Sequence, residues 1–105
     1  MLETFPNPGV AFVELTSDEV TSLGPGNAQP DFYVVSIEYS PEELCLESKS
    51  LKLYLQQFRT EEVYCETLAV RMRDDVAAAL RLEPQLVTVT VEQKSRGGIT
   101  ITATA

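Results

Sequence analysis

From Asp31 to Tyr39 the chain alternates strictly. Tyr33, Val35, Ile37 and Tyr39 fall on one face, and Phe32, Val34, Ser36 and Glu38 on the other. That period of two is the signature of a β-strand with one buried face. A strand with so apolar a face requires a second layer to cover it. The region that follows supplies one. Over Glu47–Arg59 the spacing predicts a helix, with Leu51, Tyr54, Leu55 and Phe58 as its apolar stripe and Lys49, Lys52, Gln56 and Arg59 on a polar stripe. Thr60 is placed to cap a second helix, with Glu61 and Glu62 in its first turn. That helix is expected to run to about Leu82, burying Cys65, Leu68, Met72, Val76 and Leu80, with Pro84 as its stop.

Three further strands are expected. Val10–Leu15 alternates ahead of a Gly/Pro loop spanning Thr21–Pro30. Leu86–Glu92 sets Val87, Val89 and Val91 against Leu86, Thr88 and Thr90. Ile99–Thr104 follows a turn at Ser95–Gly98. Met1–Gly9, with Pro6 and Pro8, reads as an extended lead-in. The order is ββααββ, which predicts an α+β fold: an antiparallel four-stranded sheet with two helices, in one domain over residues 1–105. Two helices cover one sheet face, so the other face and the strand edges invite self-association.

Charge narrows the function. Asp and Glu number 16 against 8 Lys and Arg, a formal net charge of −8. Phosphate backbones and anionic membranes are bound mainly through Lys and Arg, so neither nucleic acid nor membrane is expected as a partner. No apolar run approaches a membrane span and no signal segment opens the chain, so a soluble, cytoplasmic protein is expected. There is no histidine and there are only 2 cysteines. A disulfide framework, Ser-His-Asp and Cys-His catalysis and imidazole-ligated metals are thereby set aside.

Several residues have both a chemical and a plain structural reading. Lys49 and Lys52, three apart at a helix start, suit a phosphate or a solvated face. Arg96, beside Gly97 and Gly98, is either presented to an anion or solvated in a hairpin turn. Glu66 suits the donor edge of a heterocycle or the surface. Asp31 is a general acid or a turn cap. Cys45 and Cys65 read as buried apolar side chains rather than nucleophiles. Neither a Gly-rich dinucleotide fingerprint nor a metal-ligand cluster is present.

Taken together, Leu2-Glu3-Thr4-Phe5, Asn7-Pro8, Thr21-Ser22-Leu23, Gln29-Pro30-Asp31-Phe32, Glu47-Ser48-Lys49-Ser50-Leu51-Lys52-Leu53-Tyr54-Leu55, Phe58-Arg59, Glu66 and Arg96-Gly97-Gly98-Ile99 resemble the NADPH-dependent 7-cyano-7-deazaguanine reductases of queuosine biosynthesis, in their short single-module form. The resemblance implies the tunnelling fold, with subunits paired through sheet edges into an oligomeric barrel and active sites between them. It implies a cysteine that attacks the nitrile to form a thioimide, and NADPH as hydride source. It assigns Asp31 as proton donor, Glu66, Ser48 and Glu47 to the substrate base, and Lys49, Lys52 and Arg96 to NADPH, with no metal.

The chain departs from that pattern at one place above all. The loop of the family it resembles reads Cys-Pro-x-Thr-Gly-Gln-Pro-Asp, and here it is Gly24-Pro25-Gly26-Asn27-Ala28-Gln29-Pro30-Asp31. The nucleophile position is Gly24, which has no side chain to form a thioimide. The histidine that precedes the base-binding glutamate in the family is Cys65 here. Two functions therefore stand as expectations: a nitrile reductase-like protein of the queuosine pathway, or a non-catalytic or altered module that binds a deazaguanine, purine or pterin-like ligand. Cyclohydrolase chemistry on the same fold needs zinc and histidine, and the chain has no histidine.

Overall fold

The computed structural model describes all residues, 1–105. Its elements are β1 (Thr4–Pro6), β2 (Val13–Leu23), β3 (Pro30–Tyr39), β4 (Leu44–Leu46), α1 (Ser48–Gln56), a 3-10 turn (Gln57–Thr60), α2 (Cys65–Leu80), a second 3-10 turn (Pro84–Leu86), β5 (Val87–Arg96) and β6 (Ile99–Thr104). The main sheet is antiparallel and four-stranded, in the order β2-β3-β5-β6.

Its buried face is the one read from the alternation. Tyr33, Val35, Ile37 and Tyr39 on β3 stand beside Val87, Val89 and Val91 on β5, in the register Tyr39↔Val87, Ile37↔Val89 and Val35↔Val91. The helices lie against this face and bury Leu51, Tyr54 and Leu55 from α1, Phe58 from the turn, and Cys65, Leu68, Met72, Val76 and Leu80 from α2. Polar groups in this core are matched. Tyr33 Oη and Ser22 Oγ share a hydrogen bond of 2.6 Å with both residues fully buried. Tyr39 Oη accepts from the Leu46 amide at 2.9 Å. Tyr54 Oη donates to Asp75 Oδ2 at 2.6 Å. Burial, more than anything else, pushes all three phenols above their ordinary range.

Several elements differ from the sequence reading: α1 ends at Gln56 rather than Arg59, and β5 runs on past Glu92 to Arg96. The ββααββ order omits a second, two-stranded ladder, β1–β4, registered Thr4↔Leu46 and Phe5↔Cys45. These three-residue strands are too short to show a period. The first long strand begins at Val13 rather than Val10 and runs on to Leu23. A bulge between Ser17 and Val20 shifts the inward set from Val13, Leu15 and Ser17 to Val20 and Ser22, which masks the alternation. The Gly/Pro loop shrinks accordingly to residues 24–29. Thr60 does not cap α2: it closes the 3-10 turn, and Tyr64, in extended conformation, precedes the first turn without a side-chain bond.

Glu47 is the cap of α1. Its carboxylate accepts from the Lys49 and Ser50 amides, both at 2.7 Å, and Ser50 Oγ in turn accepts from the Glu3 amide at 2.9 Å, tying β1 to the helix start. The two amide bonds, that of Lys49 first, hold the Glu47 carboxyl below its usual range. A carboxyl lowered by folding stabilises the native state above its unfolded pKa, and the gain is lost as pH falls through the folded value. Glu47→Ala is therefore expected to lower the urea midpoint at pH 7, and the gap to wild type is expected to narrow once the pH drops below about 4. A gap that holds constant from pH 7 to pH 3 would contradict this role.

Candidate functional site

The site grows from the turn between β2 and β3. The Gly24 amide donates to Gln29 O at 2.8 Å, and Gly24 O accepts from the Asn27 and Ala28 amides at 3.3 and 3.2 Å. Asn27 Oδ1 accepts from the Gln29 amide at 3.0 Å. Closing so short a loop takes two residues at positive φ, Gly26 at 84° and Ala28 at 55°. The segment before α2 is stitched alongside: the Leu23 amide donates to Glu61 O and the Val63 amide to Leu23 O. This pairing delivers Cys65 and Glu66, the first residues of α2, to the rim of the loop.

Arg96, at the end of β5, closes the arrangement from the other side. Its Nη1 donates to Pro30 O at 2.6 Å and to Asp31 Oδ1 at 3.2 Å, and its Nη2 donates to Gln29 Oε1 at 2.7 Å. Between these parts lies a cleft of about 240 Å³ bordered by Gly24, Asn27, Asp31, Cys65, Glu66 and Arg96. Asp31 is 8% exposed, and Glu66 stands at the open rim.

Neither cysteine is a poised thiolate. Cys45 is a buried residue of β4 itself, paired with Phe5, and its thiol donates to Asn7 Oδ1 at 3.7 Å. Cys65 is 2% exposed and its thiol donates to Val91 O at 3.5 Å. Burial first, and then the neighbouring Glu66 carboxylate, push that thiol up, away from the reactive form.

The sequence-predicted residues thus divide. Gly24, Asp31, Glu66 and Arg96 meet in one cleft. Ser48 and Lys52 line a different one, of about 260 Å³, where α1 faces β2, together with Glu19, Gln56 and Arg59. No residue is common to both clefts. Lys49 is exposed and makes no ion pair. The α1 amides that would help Lys49 and Lys52 hold a phosphate are occupied at Lys49 and Ser50 by the Glu47 carboxylate. Arg96 is engaged with the loop rather than free.

Asn27 was not singled out from the sequence. A Cβ built on Gly24 would lie 2.7 Å from Asn27 Oδ1 and 3.2 Å from Asp31 Oδ2. The amide of Asn27 stands where a side chain at position 24 would begin. The available signal was the joint change of positions 24, 26, 27 and 28 relative to the family loop, which indicates adjustment of the loop as a unit.

The fold and cleft define a class: small α+β proteins with an acidic, loop-walled cleft at the start of the second helix. Comparison with known proteins gives the class its family. A family model described as QueF-like protein matches residues 30–105. The NADPH-dependent 7-cyano-7-deazaguanine reductase of Chlorobium phaeovibrioides is 39% identical over 102 residues, covering 97% of this chain and 85% of that protein. The enzyme of the same name from Frankia casuarinae is 43% identical over 105 residues, covering 99% and 82%. Among solved structures, the apo form of an archaeosine synthase QueF-Like superposes with a TM-score of 0.83 at 29% identity, covering 92% of this chain and 93% of that one. The chain belongs to the QueF-like family, as the sequence motifs indicated.

Proposed function

We propose that this protein binds a 7-deazaguanine, or a closely related purine-like base, in the cleft at Gly24, Asp31 and Glu66, and that it does not reduce a nitrile there through a thioimide. The observation that carries this reading is the geometry at position 24. No sulfur is present, and the Asn27 amide stands at 2.7 Å from where a Cβ would be. Asp31 and Glu66 remain in place around the cleft, one buried in its floor and one at its rim. A carboxylate at a rim accepts two parallel donors from a guanine-like edge, and such charge-assisted pairs are the strong ones.

A working reductase, the second reading, is favoured by the names of the relatives. It needs a nucleophile, and Cys65 is the one thiol at this cleft. Burial, two nearby carboxylates and a hydrogen bond into β5 all oppose its use.

The relatives' names also make NADPH the reductant there. The residues of this chain fit such a ligand in part. Lys52 and Arg59 line the groove beside α1 with exposed Lys49 close by in sequence, and these would hold its phosphates. NADPH supplies hydride when bound. Arg96 is removed from that set by its bonds to Gln29, Pro30 and Asp31. The separation of the two clefts within one protomer supports self-association as the means of uniting them. So do the outer edges of β2 and β6, each paired on one side only. A barrel of several copies, at work in the cytoplasm, is the assembly this implies.

Calorimetry with 7-cyano-7-deazaguanine tests the reading. Wild type is expected to bind, with no nitrile-dependent loss of NADPH absorbance. Glu66→Ala is expected to weaken binding by about tenfold or more. Equal affinity in the variant would show that the base lies elsewhere, and turnover by wild type would overturn the inactive half of the proposal.

A further inference from the structure

The loop that lacks the nucleophile has acquired a different chemistry, and we infer that it selects a base carrying a cationic, hydrogen-donating arm, such as an aminomethyl group, over one carrying a nitrile. The inference rests on the base-binding reading above and specifies the substituent. Its ground is a pair of oxygens on the Gly24 side of the cleft: Asn27 Oδ1 and Asp31 Oδ2, at 2.7 and 3.2 Å from the position a Gly24 Cβ would take, on two residues that both line it.

The two oxygens differ in what they already hold. Asn27 Oδ1 accepts one hydrogen bond, from the Gln29 amide. Asp31 uses Oδ1 for Arg96, and its Oδ2 accepts nothing from the protein. The residue is 8% exposed, yet no side-chain oxygen or nitrogen sealed from solvent lacks a partner in this structure. Oδ2 therefore opens into the cleft, ready for a donor. A base seated in the cleft takes water away from this oxygen, so a ligand that supplies a donor in its place gains more than one that does not.

The charges facing the cleft agree. β3 contributes Asp31 and α2 contributes Glu66, both acidic, and β5 contributes Arg96. The Arg96 guanidinium is directed at Pro30 O, Asp31 Oδ1 and Gln29 Oε1, not at Asn27 Oδ1 or Asp31 Oδ2. A nitrile is linear, has no proton to give, and ends in an acceptor nitrogen that two oxygens would repel. An ammonium on a one-carbon arm has three donors and a positive charge, which match both oxygens.

Calorimetry at pH 7 with three 7-deazaguanines, bearing hydrogen, cyano or aminomethyl at C7, decides the matter. The aminomethyl base is expected to bind at least about tenfold more tightly than the unsubstituted base, and the cyano base no more tightly than it. In Asp31→Asn the ratio of aminomethyl to unsubstituted affinity is expected to fall towards one. Gly24→Ala, whose Cβ would displace Asn27 Oδ1 and crowd Asp31 Oδ2, is expected to reduce that ratio while leaving both members of the Asp31–Arg96 pair present. If all three bases bind alike, or the cyano base binds best, the inference fails while base binding stands. If none binds, both fail. A ratio that survives both substitutions would also overturn it.

Discussion

A Gly24→Cys, Asn27→Thr double variant is expected to raise nitrile-dependent NADPH oxidation by on the order of a thousandfold over wild type, because it restores the nucleophile and clears its path. Gly24→Cys alone is expected to do much less. The new Cβ would meet Asn27 Oδ1 at 2.7 Å, a separation that real Cβ atoms do not tolerate, so the Asn27 amide must shift, at the expense of its bond to the Gln29 amide. Asp31 Oδ2, at 3.2 Å from the same point, lies beside the restored side chain and within reach of a proton-transfer role. Mass spectrometry of the denatured double variant after incubation with the nitrile reads the covalent step directly. A variant that binds the base yet shows neither adduct nor turnover would mean that something beyond positions 24 and 27 silences the chemistry.

The largest loss of stability is expected from Phe58→Ala, at about 3–5 kcal/mol. Phe58 is 1% exposed in the 3-10 turn that follows α1. Its ring meets Tyr54 edge-on, with centroids 5.3 Å apart, and the Arg71 guanidinium lies 5.0 Å from its centroid. Truncation therefore removes buried area, an aromatic pair and a cation contact together. Small domains have only about 5–15 kcal/mol to lose, so the variant is expected to be partly unfolded near body temperature. Urea unfolding gives the value. A loss under about 1 kcal/mol would mean that the surrounding side chains collapse into the space.

The parts of the fold with a regular period were legible in advance. The inward face of β3 and the stripes of both helices came from spacing alone, because each covers one continuous buried surface. Legibility failed where that period breaks. The bulge at Ser17–Val20 reverses which residues of β2 face inward, so an eleven-residue strand looked like two unrelated segments. Thr60 has the chemistry of a helix cap, but the chain is still completing a 3-10 turn at that point. β5 runs on to Arg96 through Glu92, Lys94 and Ser95, where no apolar alternation marks it. In the site, Asp31, Glu66 and Arg96 could be named from motifs. Their convergence depends on the parallel bridge between Leu23 and Glu62 and on the long reach of Arg96, neither of which leaves a local trace.

The reach of Arg96 has a consequence for how the molecule matures. Its partners lie 65 to 67 positions earlier in the chain. Residues 24–29 can curl up locally on a fast timescale, but the guanidinium arrives only after β5 has zipped onto β3. Distant contacts of this kind form late, because chain entropy must be overcome before they give any return. Closure of the candidate cleft is thus expected late in folding, and a chain whose last hairpin has frayed is expected to keep most of its architecture while residues 24–29 lie unlatched.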